Sequence, residues 1–349
     1  MVTNGLISIF CGVDLKPFHE KWKIIAELLA HTLIRPFICL KKNVMANEKA
    51  FPESRTGYAL ITGATSGIGY ELSRLLAADG YNLILVARNH DRLAKVAHQF
   101  STAYGVVVVP ITMDLFRPSA AQETYNEVKA RGLAVSILVN DAGQGQWGEF
   151  AETSLQRDLD IIQLNVASLV GMTKLFLQDM IEAQNGKILQ LASEAGTTPV
   201  PLMATYSATK AFVISFSTAL SNELKGSGIT ITTLLPGATD TDFFHKACQD
   251  DTIGYREHKL ASPADVAQDG YEGLMRGDTT VISGSKTKAH VFLNDLLGHM
   301  FSAANNRKMM EPSEQQASPK WPGHLPSAEE REQILRETGR KQGDYGGRR

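Results

Sequence analysis

The sequence predicts an α/β fold: a single doubly wound domain with a parallel sheet of about seven strands and helices on both faces. Three observations predict it. From Thr56 onward, short apolar runs alternate with longer helical patterns at the spacing of repeated βαβ units. A glycine-rich segment, residues 63–69, joins the first apolar run to the first helical pattern. The chain has 349 residues, of which 43% are hydrophobic, which is enough for one large core.

The predicted strands are apolar runs bounded by polar or glycine-containing segments. They are residues 58–62, 82–87, 106–111, 135–139, 187–191, 229–235 and 279–282. Helices are predicted to begin near Ile68, Asp91, Ser119, Ser154, Thr205 and Ser262, with a further apolar helix at 291–300. Because parallel strands need a crossover connection on each return, these helices should cover both faces of the sheet.

Two segments flank the predicted catalytic domain, residues 56–305. The N-terminal extension, residues 1–55, has an amphipathic helix that begins at Trp22 and ends near Pro36. It either docks on the protein's own surface or a sister subunit, or it contacts a membrane peripherally. The C-terminal segment, residues 306–349, is polar and is predicted to be a flexible tail. A short helix after Ser327 is the alternative there.

Composition excludes several classes of function. Lysine and arginine number 35 against 37 aspartates and glutamates, so the net charge of −2 gives no basic surface for nucleic acid. The three cysteines are Cys11, Cys39 and Cys248, with no C-x-x-C pair and no histidine at metal-ligand spacing. We therefore expect no disulfide framework and no metal site. A cytoplasmic location is predicted, with peripheral membrane contact as the alternative.

The glycine-rich segment is typical of a Rossmann-type dinucleotide site. Glycine lets the backbone turn tightly and approach a pyrophosphate, and the following helix N-terminus offers N–H groups to the anion. The residues assigned to this contact are Gly63, Thr65, Ser66, Gly67, Ile68 and Gly69.

The end of the second strand indicates which dinucleotide is bound. An acidic residue there would bind the ribose 2′-hydroxyl of NAD, but the sequence has Ala87 and Arg88 instead. A planar guanidinium suits the 2′-phosphate of NADP(H), which is the predicted cofactor. Asp114 and Leu115, after the third strand, are placed to meet the adenine ring.

Tyr206 and Lys210 are the candidate reacting residues. They are four positions apart at the start of a predicted helix, so both side chains lie on one face. A neighbouring ammonium and a positive nicotinamide ring would favour the phenolate of Tyr206 and bring its pKa toward the working range of an acid–base catalyst. Ser193 closes the fifth strand and could donate a hydrogen bond to the substrate oxygen.

With these motifs in this order, the chain resembles the classical short-chain dehydrogenase/reductase family over residues 56–284. The match also includes Asn140-Asp141-Ala142-Gly143 after the fourth strand, Asn165 in the fourth helix, and Pro236-Gly237 after the sixth strand. The resemblance implies that Tyr206 is the acid/base, that Lys210 holds the nicotinamide ribose, and that Ser193 orients the carbonyl. It also implies that Asn165 supports a water that relays protons to Lys210.

The resemblance further implies which residues contact the cofactor. They are Asn140, Ala142, Gly143, Pro236, Gly237, Thr239 and Thr241, in addition to the glycine-rich segment, Arg88, Asp114, Leu115, Tyr206 and Lys210. Asp141 departs from the family, which usually has a second asparagine there. We expect this change to alter hydrogen bonding beside the adenosine and to leave the reacting groups untouched.

The predicted function is NADP(H)-dependent hydride transfer between the cofactor and a carbonyl or secondary alcohol. A non-catalytic NADP-binding sensor or scaffold is one alternative. A membrane-peripheral reductase of a 3-oxoacyl or hydroxysteroid lipid is another. The segment 242–260 should shape the substrate pocket, but it shows little regular pattern.

The chain is predicted to form a homodimer or homotetramer. The fourth helix, residues 154–184, and the fifth helix both have more apolar residues than one face needs to cover the sheet. They are also the helices that pair across a two-fold axis in the family that the chain resembles. The alternative is a monomer in which the N-terminal helix covers this surface.

Overall fold

The computed structural model describes residues 57–256, 259–297, 303 and 306–313, all within one compact unit. The predicted N-terminal extension and the predicted helix after Ser327 lie outside these residues. The described part contains a seven-stranded, fully parallel sheet of order β3-β2-β1-β4-β5-β6-β7. Its strands are β1 (Tyr58–Thr62), β2 (Asn82–Ala87), β3 (Val108–Thr112), β4 (Val135–Asn140), β5 (Gly186–Leu191), β6 (Ile229–Leu235) and β7 (Thr280–Ile282).

Helices connect these strands, as the doubly wound class requires. They are α1 (Gly67–Ala78), α2 (His90–Tyr104), α3 (Ala120–Ala130), α4 (Leu155–Ile162), α5 (Leu169–Glu182), α6 (Ala204–Glu223), α7 (Phe243–Ala247), α8 (Ile253–Arg256), α9 (Pro263–Arg276) and α10 (Ser285–Leu297). Local signals set several ends. Asn89 caps α2 by accepting the N–H of Arg92, and Gly105 ends that helix with φ of 69°.

Alternation along the strands divides the core between the two faces. In β1, Ile61 packs with Leu72 of α1 on one face, and Leu60 packs with Met172 and Phe176 of α5 on the other. All five side chains are almost completely buried. The stretch Leu155–Glu182 is long and apolar enough to cross a membrane by length and composition, and its residues Met172 and Phe176 belong to the buried core.

The fold confirms the predicted class and differs from the prediction in three elements. The helix predicted over 154–184 is α4 and α5 joined by a π-helical turn, Gln163–Ser168. The helix predicted at 291–300 begins earlier, at Ser285. Two short helices, α7 and α8, lie within the segment 242–260 that showed little pattern.

Strand order determines where a ligand can bind. From β1 the chain continues to β2 and β3 on one side of the sheet, and then crosses back to β4, which lies on the other side of β1. The topological switch point is therefore between β1 and β4. Thr62 and Asn140, the last residues of these two strands, are register partners. Beyond these carboxyl ends lies a cavity of about 450 Å³.

Candidate active site

The glycine-rich segment follows β1 and forms one wall of this cavity. Gly63 and Gly67 have φ of 73° and 60°, a region that favours glycine. A Cβ on Gly63 would lie 3.1 Å from the backbone nitrogen of Ala142. A Cβ on Gly67 would lie 3.0 Å from Cγ2 of Thr241. Both glycines also line the cavity just where α1 begins, so backbone faces it there, which fits the pyrophosphate of a dinucleotide.

Cationic side chains gather at the adenosine end of the cavity. The Arg88 guanidinium lies 4.9 Å from the centre of the Phe116 ring, and its Nε is 4.0 Å from Oδ1 of Asp114. Lys246 faces it from α7, and burial, together with the charges of Arg92 and Arg88, lowers the pKa of Lys246 against the opposing effect of Asp242. We call Arg88, Arg92 and Lys246 the cationic cluster. Its charge fits a 2′-phosphate.

Ser193, Tyr206 and Lys210 line the same cavity at its other end. Ser193 lies two residues after β5, and its Oγ accepts the N–H of Ala195 at 3.1 Å, which fixes the turn Glu194–Gly196. Tyr206 and Lys210 lie in the first two turns of α6, and both are almost completely buried. The predicted reacting residues are therefore in one place.

Burial raises the pKa of Tyr206 to about 12, against the opposing effect of a hydrogen bond with Ser193. The sequence-based expectation was a phenol shifted toward its phenolate by Lys210. Desolvation instead has the largest effect on this pKa, and the nearby carboxylate of Glu194 raises it further. Tyr206 is thus a neutral phenol at physiological pH, the form that donates a proton.

Lys210 is fixed by a backbone carbonyl. Its Nζ donates to the oxygen of Leu191 at 2.7 Å and lies 5.8 Å from the centre of the Tyr206 ring. The Cα of Gly143 lies close to this Nζ, since a Cβ built on Gly143 would be 3.4 Å from it. Burial lowers the pKa of Lys210 to about 8.

Asn165 lies in the π-helical turn and is buried. Its Oδ1 accepts the N–H of Gln144 at 3.0 Å, and its Nδ2 donates to the Gln144 oxygen at 2.9 Å and to Oγ1 of Thr209 at 3.0 Å. Both amide hydrogens are therefore used within the protein. The side chain joins the loop after β4 to α6, and a role in a water relay stays a prediction.

Asp141 acts on the reacting end more than the sequence suggested. Its Oδ1 atom is buried without a partner among the described residues, and the Gly69 backbone hydrogen-bonds to the carboxylate. Desolvation raises the pKa of Asp141 to about 7, and the charge of Lys210 opposes that shift. In return, the Asp141 charge raises the pKa of Lys210. The expectation that this residue leaves the reacting groups untouched is not met, because both charges are buried in the same low-dielectric region.

The predicted cofactor residues divide into two groups. Most line the cavity, including Thr65, Arg88, Leu115, Gly237 and Thr239. Asn140 and Gly69 do not. The Nδ2 of Asn140 donates to Thr173 and to Gln190, at 3.1 and 3.0 Å, so this side chain holds β4 to β5 and α5 instead of facing a ligand.

The substrate end of the cavity is apolar. Met203 and Val200 are buried beside Tyr206, and Trp147, Phe243 and Met310 pack against them. The Phe243 ring lies 5.0 Å from the Tyr206 ring. Sequence patterns gave no signal for Trp147 or Met310, because each reaches this place from a loop or from the C-terminal segment. No cluster that could hold a metal ion is found among the described residues.

Residues 306–313 differ from the expected flexible tail. Trp147 donates from Nε1 to the Met310 oxygen at 2.9 Å, and Arg307 forms an ion pair with Glu149 at 2.6 Å. The Ser313 N–H donates to the oxygen of Asp251 at 2.8 Å. These contacts hold the segment over the apolar end of the cavity, although its sequence is too polar to indicate a buried element.

The chain is similar to a family model, to curated relatives and to solved structures. The family model described as short chain dehydrogenase matches residues 57–252. A very-long-chain 3-oxoacyl-CoA reductase of Phaeosphaeria nodorum is 41% identical over 181 residues, which cover 51% of this chain and 53% of that protein. The protein of the same description from Rattus norvegicus is 36% identical over 197 residues, with 54% and 61% covered. The chain thus spans about half the length of the curated relatives it matches.

A solved structure gives the same result for the fold. A short-chain dehydrogenase from Sphingobium yanoikuyae in complex with NADPH superposes with a TM-score of 0.63 and 28% identity. The superposition covers 76% of this chain and 100% of that one.

Proposed function

The chain belongs to the short-chain dehydrogenase family, and on that premise we propose that it is an NADPH-dependent reductase that converts a ketone into a secondary alcohol. The observation that carries the proposal is that Ser193 and two buried residues, a protonated Tyr206 and Lys210, line one end of a cavity whose other end has the cationic cluster. NADPH, when bound, supplies the hydride. The chain's own residues bind the cofactor, orient the ketone and supply the proton.

The proton comes from Tyr206. A ketone oxygen that accepts hydrogen bonds from Ser193 and Tyr206 gains negative charge as hydride adds to its carbon, and these donors stabilise that charge. Tyr206 then transfers its phenolic proton to the oxygen, which gives the neutral alcohol. The ammonium of Lys210, fixed on the Leu191 oxygen, stabilises the phenolate that remains.

We propose that the ketone belongs to a 3-oxoacyl thioester with a long apolar chain. Phe243 and Trp147 offer an apolar surface beside Tyr206, which suits an alkyl chain. The names of the relatives from Phaeosphaeria nodorum and Rattus norvegicus support the same substrate class.

Absorbance of NADPH tests the proposed reaction. We expect the purified chain to consume NADPH when a 3-oxoacyl thioester is added, and to leave NADPH unchanged without it. Simple ketones and hydroxysteroids provide the comparison substrates. NADPH binding without turnover of any ketone would contradict the reductase and favour the non-catalytic sensor.

We further propose that the enzyme works in the cytoplasm and contacts membranes peripherally. Phe292 and Leu293 of α10 are 71% and 45% exposed, and such apolar side chains favour an interfacial position. Sedimentation with liposomes tests the contact, with a Phe292→Ser, Leu293→Ser variant and a chain lacking residues 1–50 as the two comparisons. A wild-type chain that stays in the supernatant would contradict it.

A further inference from the structure

Gln249 is a buried polar residue in the apolar end of the cavity. It is 1% exposed and lies two residues after α7. Its backbone is fully engaged: its N–H donates to Phe244 at 2.9 Å, and its oxygen accepts from the N–H and the hydroxyl of Thr252 at 3.1 and 2.9 Å. These backbone hydrogen bonds hold the residue in place.

The side-chain amide of Gln249 lacks strong partners. Among the described residues, its Nε2 has two hydrogen-bond partners, both sulfur atoms: Sδ of Met203 at 2.7 Å and Sδ of Met310 at 3.3 Å. Its Oε1 is buried with no partner in the part of the chain that the structure describes. A thioether is a weak acceptor, so both ends of this amide can still form a stronger hydrogen bond. A methionine here would fill a similar volume without leaving a polar atom unpaired.

This amide lies in the same cavity as Tyr206. Gln249 and Tyr206 both line it. Met203 packs between them, because it contacts the Gln249 amide and belongs to the buried cluster around Tyr206. A substrate whose ketone reaches Tyr206 would therefore bring a neighbouring part of its own chain to Gln249.

We propose that Gln249 binds the amide of the thioester arm of the substrate: Oε1 accepts the amide N–H, and Nε2 donates to its oxygen. The inference rests on the proposed reduction of a 3-oxoacyl thioester and adds which end of that substrate is recognised. Acyl thioesters of biological carriers have such an amide two carbons beyond the sulfur. An unpaired acceptor requires a donor, and a thioester carbonyl alone does not supply one.

Two thioesters that differ only in this amide test the proposal. One is a medium-chain 3-oxoacyl thioester of N-acetylcysteamine, and the other is the S-alkyl thioester of the same acyl chain and similar size. We expect the kcat/KM of wild type to be about tenfold higher for the first thioester than for the second. Gln249→Met should lose this preference: its kcat/KM for both thioesters should equal the wild-type value for the S-alkyl thioester. Gln146→Met is the matched control, since its Oε1 is also buried without a described partner but does not line the cavity.

The outcomes separate the inference from the reaction on which it rests. Three outcomes would overturn the role of Gln249 and leave the proposed reductase intact. They are an equal loss of kcat/KM for both thioesters in Gln249→Met, a preference that survives this substitution, and the absence of a preference in wild type. A wild-type chain that reduces neither thioester would overturn the proposed substrate and this inference with it. The melting temperature of Gln249→Met should equal or exceed that of wild type, which shows that the variant folds.

Discussion

The carboxylate of Asp141 raises the pKa of Lys210, and the ammonium of Lys210 lowers the pKa of Asp141. Burial has the larger effect on each group and opposes this attraction: it raises the pKa of Asp141 and lowers the pKa of Lys210. The pair therefore connects the glycine-rich segment, which packs against Asp141, to the residue that stabilises the Tyr206 phenolate. Its charge state should be visible in the pH dependence of the reaction.

We predict that Asp141→Asn moves the alkaline limb of the pH profile to lower pH. Lys210 is active as an ammonium, so kcat/KM should fall as the pH rises through its pKa, which is about 8 in this structure. Removing the Asp141 charge removes an effect that raises this pKa, and the fall must then begin at lower pH. Measuring kcat/KM for the thioester substrate over a series of pH values gives the pH at which this fall begins. Asp265→Asn, an exposed change on α9, is the control. A limb that stays in place, or moves to higher pH, would contradict the coupling.

Arg88 should determine the choice of cofactor. We predict that NADPH binds more tightly than NADH by at least about tenfold, or 1.4 kcal/mol, and that Arg88→Asp removes most of this difference. The aspartate would repel the 2′-phosphate and could accept from the 2′-hydroxyl of NADH. Dissociation constants for both cofactors measure this difference, with Arg131→Asp, just after α3, as a control outside the cavity. Equal affinities in wild type would show that the cationic cluster does not select NADPH.

The chain should form a homodimer or homotetramer through α4 and α6. Leu155, Leu159 and Ile162 of α4 and Phe212 of α6 are exposed, between 39% and 73%. A two-fold contact would bury them. Light scattering should give a mass of two or four times 38.1 kDa for wild type, and a smaller mass for Leu155→Glu, Leu159→Glu. Val107→Glu, an exposed change just before β3, should leave the mass unchanged. A wild-type mass near 38.1 kDa would contradict the oligomer.

The sheet could be predicted closely because each strand is an apolar run with a clear end. β1, β2 and β6 have the predicted bounds. The third strand begins at Val108 and not at residue 106, because the N–H of Val107 donates to the side chain of Asn82 instead of continuing the ladder. The π-helical turn was not predictable, since its residues suit an ordinary helix and its Asn165 is held by Gln144 and Thr209.

The reacting residues were predictable because their spacing along the chain places them at strand and helix ends. The substrate end was not, because Gln249, Trp147 and Met310 meet only through tertiary contacts. Asn140 shows the opposite case. It matches a motif, but its side chain packs within the fold.

The most direct test of the central claim is the turnover of Tyr206→Phe. The ring remains and the transferable proton is lost, so we predict NADPH binding within about twofold of wild type and a reduction rate lower by about 10²- to 10⁴-fold. Single-turnover oxidation of NADPH with saturating thioester measures the rate, and Tyr58→Phe, at the start of β1, is the control. A Tyr206→Phe protein that keeps more than about half of the wild-type rate would show that Tyr206 is not the proton donor.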